Sequence, residues 1–78
     1  MFFIYGKPNC VECDKAKNML AAYDKVYVYV DIMQNKAAFD KINAMNVKSL
    51  PQVFFYDDSV EHLIGNVASL REYLLKDE

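Results

Sequence analysis

The sequence predicts an α/β domain in which a four-stranded mixed sheet is covered by three helices, in the order β-α-β-α-β-β-α. Three observations predict this class. Short runs of β-branched and aromatic residues alternate with longer segments whose apolar residues recur at a helical period. The chain begins β-α-β, an order that implies two parallel strands joined by a right-handed crossover. The last two strands are separated only by turn-forming residues, and they are therefore expected to pair antiparallel.

The first strand and the first helix flank the cysteines of the chain. Residues 2–5 form an apolar run closed by Gly6 and Pro8, which favours a buried strand followed by a loop. In the segment 11–23, rich in Ala, Lys and Leu, a helical stripe is formed by the apolar residues 13, 16, 19, 20 and 23. The next run, KVYVYVDI at 25–32, is dense in β-branched and aromatic residues and predicts a central strand.

A second helix and a hairpin follow. Asn35 can cap a helix that Asn46 can end, and its apolar positions 38, 39, 42 and 45 keep a helical period. After the loop KSLP, a strand at 52–56 is expected. The turn formers Asp57, Asp58 and Ser59 lead from it into an antiparallel strand at 60–64.

The last element is a helix over residues 67–76, with apolar residues at 67, 70, 74 and 75. Gly65 separates it from the hairpin. Its N-cap is either Asn66 or Ser69, and Glu72, three residues after Ser69, favours the second choice.

Length and composition indicate one ordered domain spanning residues 1–78. The chain is 54% hydrophobic, 14% aromatic and 26% charged, unlike the charged and aromatic-poor profile of disorder. A net charge of -2 offers no basic surface for a phosphate backbone, and so nucleic acid is not expected as a partner. The sequence has no apolar run long enough to cross a membrane, and its N-terminus MFFIYGKP has no signal-peptide pattern. We expect a cytoplasmic protein.

Both cysteines of the chain lie in the segment KPNCVECDKAKNML, three positions apart. In a reducing compartment such a pair is more often catalytic, redox-sensing or metal-binding than structural. With Asn9 as N-cap and Glu12 completing a capping box, Cys10 would occupy the first helical position. There the free N–H groups and the helix dipole favour a thiolate, and we expect Cys10 to be the nucleophile. Cys13, one turn further, can attack a mixed disulfide formed at Cys10.

Other interpretations of the pair remain open. A lone C-x-x-C is half of a zinc site, and the only further usual nitrogen ligand is the distant His62, so zinc would require dimerisation or carboxylates. The two thiols could also be an inert buried pair. Lys7 and Lys15 would stabilise a thiolate, whereas Glu12 and Asp14 would disfavour it, and Lys7 is equally compatible with an ordinary solvated lysine.

Pro51 is the second feature of interest, because it opens a strand directly after a polar loop. It can be a simple marker of a strand edge. Bonds before proline can also be cis, and a cis bond turns the backbone of the preceding residue outward. In that case the N–H and C=O of Leu50 could pair with an extended peptide or thiol substrate as an added strand.

Four stretches of the chain resemble the glutaredoxin family of the thioredoxin-like superfamily, most of all its short bacterial and phage members. They are KPNCVEC, SLPQVFF in place of a Thr-Val-Pro strand, GN in place of a Gly-Gly pair, and SLREYL in the last helix. The resemblance implies a minimal thioredoxin-like fold, a cis bond before the proline, Cys10 as nucleophile and Cys13 as resolving thiol. It also implies a glutathione-binding groove formed by Lys7, Leu50, Pro51, Gly65, Asn66 and Ser69.

The chain departs from the family in two ways. Val11-Glu12 stands between the cysteines, where many members have Pro-Tyr, and it is similar to the Val-Gln of the redoxins that serve ribonucleotide reductase and accept electrons from thioredoxin reductase. The family's acidic residue after the glycine pair has no counterpart in residues 66–69. We expect this loss to weaken glutathione binding by about 1–3 kcal/mol if that contact is charge-assisted.

The sequence therefore predicts a monomeric dithiol oxidoreductase that reduces protein disulfides, including those of ribonucleotide reductase. Glutathione or thioredoxin reductase would supply the electrons, and no metal or organic cofactor is expected beyond glutathione as a co-substrate. Two alternatives belong to other classes. One is a module that holds zinc or an iron-sulfur cluster between two subunits through Cys10, and the other is a non-catalytic interaction domain.

Overall fold

The computed structural model describes residues 1–76. The elements follow the predicted order, and they are β1 (Phe2–Gly6), α1 (Val11–Ala22), β2 (Tyr27–Asp31), α2 (Lys36–Ala44), β3 (Gln52–Asp57), β4 (Val60–Gly65) and α3 (Val67–Lys76). The predicted fold class, a mixed sheet of four strands with three helices, is confirmed.

The four strands lie in the order β2-β1-β3-β4. β1 is parallel to β2 and antiparallel to β3, and β3 is antiparallel to β4. The expectation that the second strand is central was wrong, because β2 pairs only with β1 and forms an edge of the sheet. Its β-branched and aromatic residues indicate a pleated, partly buried surface, and such a surface occurs at an edge as well as in the middle of a sheet.

Helices cover both faces of the sheet. On one face, α1 and α3 pack over β1 and β3 around a core formed by Phe2, Ile4, Ala16, Leu20, Val53, Val67, Leu70 and Leu74. On the other face, α2 packs alone, with Ala38 and Ile42 against Ile32 and Phe54. The side chains of a strand point alternately to the two faces, and so neighbouring residues of β1 contribute to different clusters.

Asparagine side chains cap the second and third helices. The Asn35 Oδ1 accepts the Ala38 N–H at 3.0 Å at the start of α2, as predicted. At the start of α3 the Asn66 Oδ1 accepts the Ser69 N–H at 3.0 Å, which identifies Asn66 rather than Ser69 as the cap. None of the helices within residues 1–76 has both the length and the apolar character that crossing a membrane requires.

Candidate active site

The two cysteines form a disulfide at the start of α1, with their Cα atoms 5.2 Å apart. Cys10 is half-buried, whereas the Cys13 side chain is fully buried between the helix and the sheet. The chain thus offers one sulfur to solvent and keeps the other behind it. Because Cys13 follows Cys10 by about one helical turn, both sulfurs are held near each other by local helix geometry.

Cys10, and not Asn9, is the N-cap of α1, and this corrects the prediction from sequence. Cys10 has extended backbone angles (φ -119°, ψ 106°), and its Sγ accepts the Cys13 N–H at 3.2 Å. Asn9 lies one residue too early and has a left-handed φ of 56°, a conformation that asparagine tolerates better than most residues. The sulfur therefore lies where the backbone N–H groups of the first helical turn converge.

The charged residues of the first helical turn pair with one another and not with the cap. Glu12 accepts a hydrogen bond from Lys15 at 3.2 Å, so its expected role in a capping box was wrong. Asp14 pairs with Lys17 at 3.2 Å. Both acidic residues thus have a lysine one turn further along, and this arrangement reduces the negative charge near the cysteines.

Leu50 and Pro51 face the start of α1 across a shallow cavity. The Leu50–Pro51 peptide bond is cis, as the resemblance implies. A cavity of about 210 Å³ is lined by Glu12, Ser49, Leu50, Pro51, Asn66, Val67 and Ala68. Within residues 1–76, the backbone N–H and C=O of Leu50 make no hydrogen bond.

The turn into α3 forms another wall of this region. Gly65 has φ +116°, a left-handed value that glycine adopts without strain. A Cβ at this position would lie 3.1 Å from the Ser69 Oγ, which shows how closely Ser69 approaches the turn. Ser69 lines a different cavity, on the side of His62, and does not line the cavity of Leu50. The first turn of α3 contains no acidic residue.

Lys7 is exposed in the loop between β1 and Cys10. Its ammonium group makes no ion pair with the side chains of residues 1–76, and its carbonyl oxygen accepts a hydrogen bond from the Tyr29 hydroxyl at 3.1 Å. The structure therefore brings Leu50, Pro51 and Asn66 to one cavity. It places Lys7 on the neighbouring loop and Ser69 on the far side of the α3 turn.

Sequence reasoning missed Tyr29 and the packing role of Gly6. A Cβ on Gly6 would lie 2.8 Å from the Cys13 Sγ and 3.0 Å from the Tyr29 Cζ, and so both groups use the space that this glycine leaves. Burial raises the pKa of the Tyr29 hydroxyl, and the positive charge of Lys17 partly opposes this shift. The alternation of β2 together with its parallel pairing to β1 was the signal that could have placed Tyr29 on the α1 face.

No group of three or more His, Cys, Asp or Glu side chains within residues 1–76 is arranged to hold a metal ion. His62, the only histidine, is exposed on β4 and lies away from the cysteines, in the cavity that Ser69 lines.

A mixed sheet that presents a C-x-x-C disulfide at the start of its first helix, opposite a proline that precedes a strand, defines a thiol-disulfide oxidoreductase with a thioredoxin-like fold. Comparison with known sequences gives the family. The glutaredoxin family model matches residues 2–60. A glutaredoxin of Enterobacteria phage T4 is 36% identical over 88 residues, and the match covers 94% of this chain and 98% of that protein. The chain belongs to the glutaredoxin family, whose members are thiol-disulfide oxidoreductases.

Solved structures agree with the fold. The solution structure of glutaredoxin from Brucella melitensis matches with a TM-score of 0.71 and 26% identity, and the match covers 97% of this chain and 77% of that one. The glutaredoxin-like protein NrdH-redoxin from Escherichia coli matches with a TM-score of 0.68 and 18% identity, over 90% of this chain and 91% of that one. The second match, at this identity, concerns the fold alone.

Proposed function

We propose that the protein reduces disulfides of other proteins through a dithiol mechanism. The Cys10 thiolate attacks one sulfur of the substrate disulfide and forms a mixed disulfide, while the other substrate sulfur leaves as a thiolate. The Cys13 thiolate then attacks the Cys10 sulfur, releases the second substrate thiolate and leaves the Cys10–Cys13 disulfide. The protein gives up two electrons and the substrate gains them.

One observation carries this proposal, namely the position of the Cys10 sulfur as the N-cap of α1. A sulfur that accepts the Cys13 N–H at 3.2 Å receives the same hydrogen bond more strongly as a thiolate, because charge-assisted hydrogen bonds are the stronger class. The helix N-terminus adds a favourable electrostatic contribution of about 0.3–1 kcal/mol. The difference in exposure supports the proposed roles, since a substrate can reach the half-buried Cys10 but not the buried Cys13.

The surroundings of Cys10 support a polypeptide substrate. Val11, next to Cys10, is 70% exposed, and the unpaired backbone groups of Leu50 are free to bind an extended strand. A second cavity of about 210 Å³ continues from Ser49 and Leu50 towards the apolar side chains of Phe39 and Val47. Exposed apolar surface of this kind beside a reactive group is typical of protein interaction sites.

Glutathione is proposed as a weak co-substrate. Lys7 would pair with one of its carboxylates, the backbone of Leu50 before Pro51 would bind its cysteinyl part, and the turn of Gly65, Asn66 and Ser69 would receive its γ-glutamyl end. The first turn of α3 has no carboxylate to pair with the ammonium group of glutathione. The reaction needs no metal or organic cofactor, because both electrons move between sulfur atoms.

We further propose that thioredoxin reductase is the faster electron donor and that ribonucleotide reductase is a substrate. The protein would then act in the cytoplasm, as a monomer, in the synthesis of deoxyribonucleotides. Support comes from Val11-Glu12 between the cysteines and from the missing carboxylate in the first turn of α3. The rates at which thioredoxin reductase and glutathione re-reduce the oxidised protein decide the electron source. Turnover of oxidised ribonucleotide reductase by the reduced protein tests the substrate, and sedimentation of the protein tests the monomer.

Trapping of the intermediate tests the dithiol mechanism. Cys13→Ser is expected to accumulate a covalent adduct with a disulfide-bonded peptide, visible in intact mass spectra under non-reducing conditions. Cys10→Ser, the matched control, is expected to accumulate none, because its remaining sulfur is buried. Equal adduct yields from the two variants would contradict the assignment of nucleophile and resolving thiol.

A further inference from the structure

Tyr29 connects the edge strand β2 to the loop that leads to Cys10. Its hydroxyl donates a hydrogen bond to the carbonyl oxygen of Lys7 at 3.1 Å, across 22 positions of the chain. Apart from this bond, the Lys7 backbone forms no hydrogen bond within the described residues 1–76. The phenol therefore tethers the loop that carries Cys10 to the sheet.

The same phenol ring lies close to the buried cysteine. Because the Cys13 Sγ and the Tyr29 Cζ both lie within 3.0 Å of the point where a Cβ of Gly6 would be, the two atoms are no more than about 6 Å apart. The side chain of Tyr29 thus reaches the surroundings of both sulfurs: its hydroxyl binds the loop before Cys10, and its ring lies within about 6 Å of the Cys13 Sγ.

The surroundings of Tyr29 keep its hydroxyl protonated. Burial raises the pKa of this phenol above the ordinary value of tyrosine, and the Lys17 ammonium, 4.4 Å from the ring centroid, only partly opposes the shift. Lys17 is itself held at 3.2 Å by Asp14. At the neutral pH at which thiol exchange occurs, Tyr29 therefore remains a hydrogen-bond donor to Lys7.

We propose that Tyr29 is a positioning residue for the second step of disulfide exchange, the closure of Cys13 onto Cys10. This inference rests on the proposed function. In that step the Cys13 thiolate forms a bond to the Cys10 sulfur, the bond between Cys10 and the substrate sulfur breaks, and the substrate leaves as a thiolate.

The two steps of exchange differ in what they require from Tyr29. Attack by Cys10 on an external disulfide depends on the exposure and thiolate character of Cys10, which are set by the helix N-terminus. Closure is intramolecular, and its rate depends on how well the two sulfurs are held in the reactive geometry. A side chain that reaches the surroundings of both sulfurs is expected to affect closure and to leave the first attack unchanged.

The test compares Tyr29→Phe with Tyr27→Phe in the full chain. Tyr27 lies two residues earlier on β2 and packs against the same core, but its hydroxyl makes no hydrogen bond within residues 1–76. The reduced protein is mixed with one equivalent of the aromatic disulfide dithiobis-nitrobenzoate in a stopped-flow instrument. The first coloured thiolate is released by the attack of Cys10, at a rate proportional to the reagent concentration. The second is released by closure, at a rate that does not depend on the reagent concentration.

We expect Tyr29→Phe to slow closure about three- to tenfold, the equivalent of one neutral hydrogen bond. The rate of the first release and its pH profile should remain those of the parent protein, and Tyr27→Phe should match the parent in both phases. An unchanged closure rate in Tyr29→Phe, an equal slowing in Tyr27→Phe, or an equal slowing of the first release would each overturn the inference. If the parent protein itself shows no concentration-independent second release, the proposed dithiol mechanism fails instead.

Discussion

Replacing Gly6 by alanine tests the packing behind the disulfide. Gly6 is the last residue of β1, and its carbonyl oxygen accepts the Ile32 N–H at 2.9 Å, which anchors its backbone. An added Cβ would lie 2.8 Å from the Cys13 Sγ and 3.0 Å from the Tyr29 Cζ, where ordinary contacts to a Cβ begin near 3.4 Å. The backbone cannot easily retreat, and so the sulfur and the phenol must move.

The expected cost differs between the two redox states. Insertion of a methyl group into a packed site costs about 1–3 kcal/mol. In the oxidised protein the Cys13 sulfur is fixed by its bond to Cys10, so we expect the substitution to lower the free energy of unfolding by about 2 kcal/mol. For a domain of this size, that loss corresponds to a Tm lower by about 8–16 °C. In the reduced protein the thiol of Cys13 can rotate away, and we expect about half of that cost. The remaining difference of about 1 kcal/mol makes the reduction potential about 20 mV less negative.

Thermal unfolding of both redox forms and equilibration with a glutathione buffer measure these quantities. The added Cβ would also meet the Tyr29 hydroxyl oxygen. The double variant Gly6→Ala/Tyr29→Phe therefore serves as the control, because it removes this oxygen and leaves the contact with Cys13. We expect it to recover part of the Tm while the potential remains displaced. An equal loss of stability in the oxidised and reduced forms, with no change in potential, would refute the contact between Gly6 and the sulfur.

Three further predictions concern other parts of the molecule. Hydrogen bonds from Lys41 and Tyr56 lower the pKa of Glu61, so the stability they give is present above the unfolded value near 4.3 and is lost as pH falls from there through the lowered folded pKa. Since the Lys41 and Glu61 side chains are about one-third exposed, we expect these hydrogen bonds to contribute less than about 1 kcal/mol to the free energy of unfolding. The Tm should fall less steeply below pH 4.3 in Glu61→Gln than in the parent protein. Asn35→Ala removes the cap of α2 and should lower the Tm by about 4–8 °C, whereas Asn43→Ala on the same helix should not. Ala68→Asp adds a carboxylate where the first turn of α3 lines the cavity of Leu50 and should speed reduction by glutathione about tenfold, and Ala68→Asn, which lacks the charge, should not.

Most of the fold follows from local patterns in the sequence. The helical period in residues 11–23 and 67–76 and the turn formers around Asp58 mark elements whose existence depends on nearby residues. The strand order does not follow from such patterns. KVYVYVDI has the composition of a central strand but forms the edge, because the place of a strand in a sheet is decided by the connections of the whole chain.

Some residues of the candidate site could likewise be predicted from local patterns, and others could not. Cys10 and Cys13 could be found from their spacing at the start of a helix, and Leu50 and Pro51 from the proline that precedes a strand. Tyr29 could not be found from its own neighbours. Its contact with the loop of Lys7 spans 22 positions and exists only because β2 runs parallel to β1.

The error at the start of α1 shows how local rules and chemistry interact at this site. Asparagine caps helices well, and Asn9 before a helical stripe predicted an ordinary cap. In the structure Asn9 adopts a left-handed φ, which moves the cap to Cys10 and makes sulfur the acceptor for the first helical turn. An oxygen cap at residue 9 would already have satisfied one of these N–H groups, and the sulfur would have been one position inside the helix. In the reduced protein this cap position would give a Cys10 thiolate a directed hydrogen bond as well as the helix dipole, and both would favour the charged form that the proposed disulfide exchange requires.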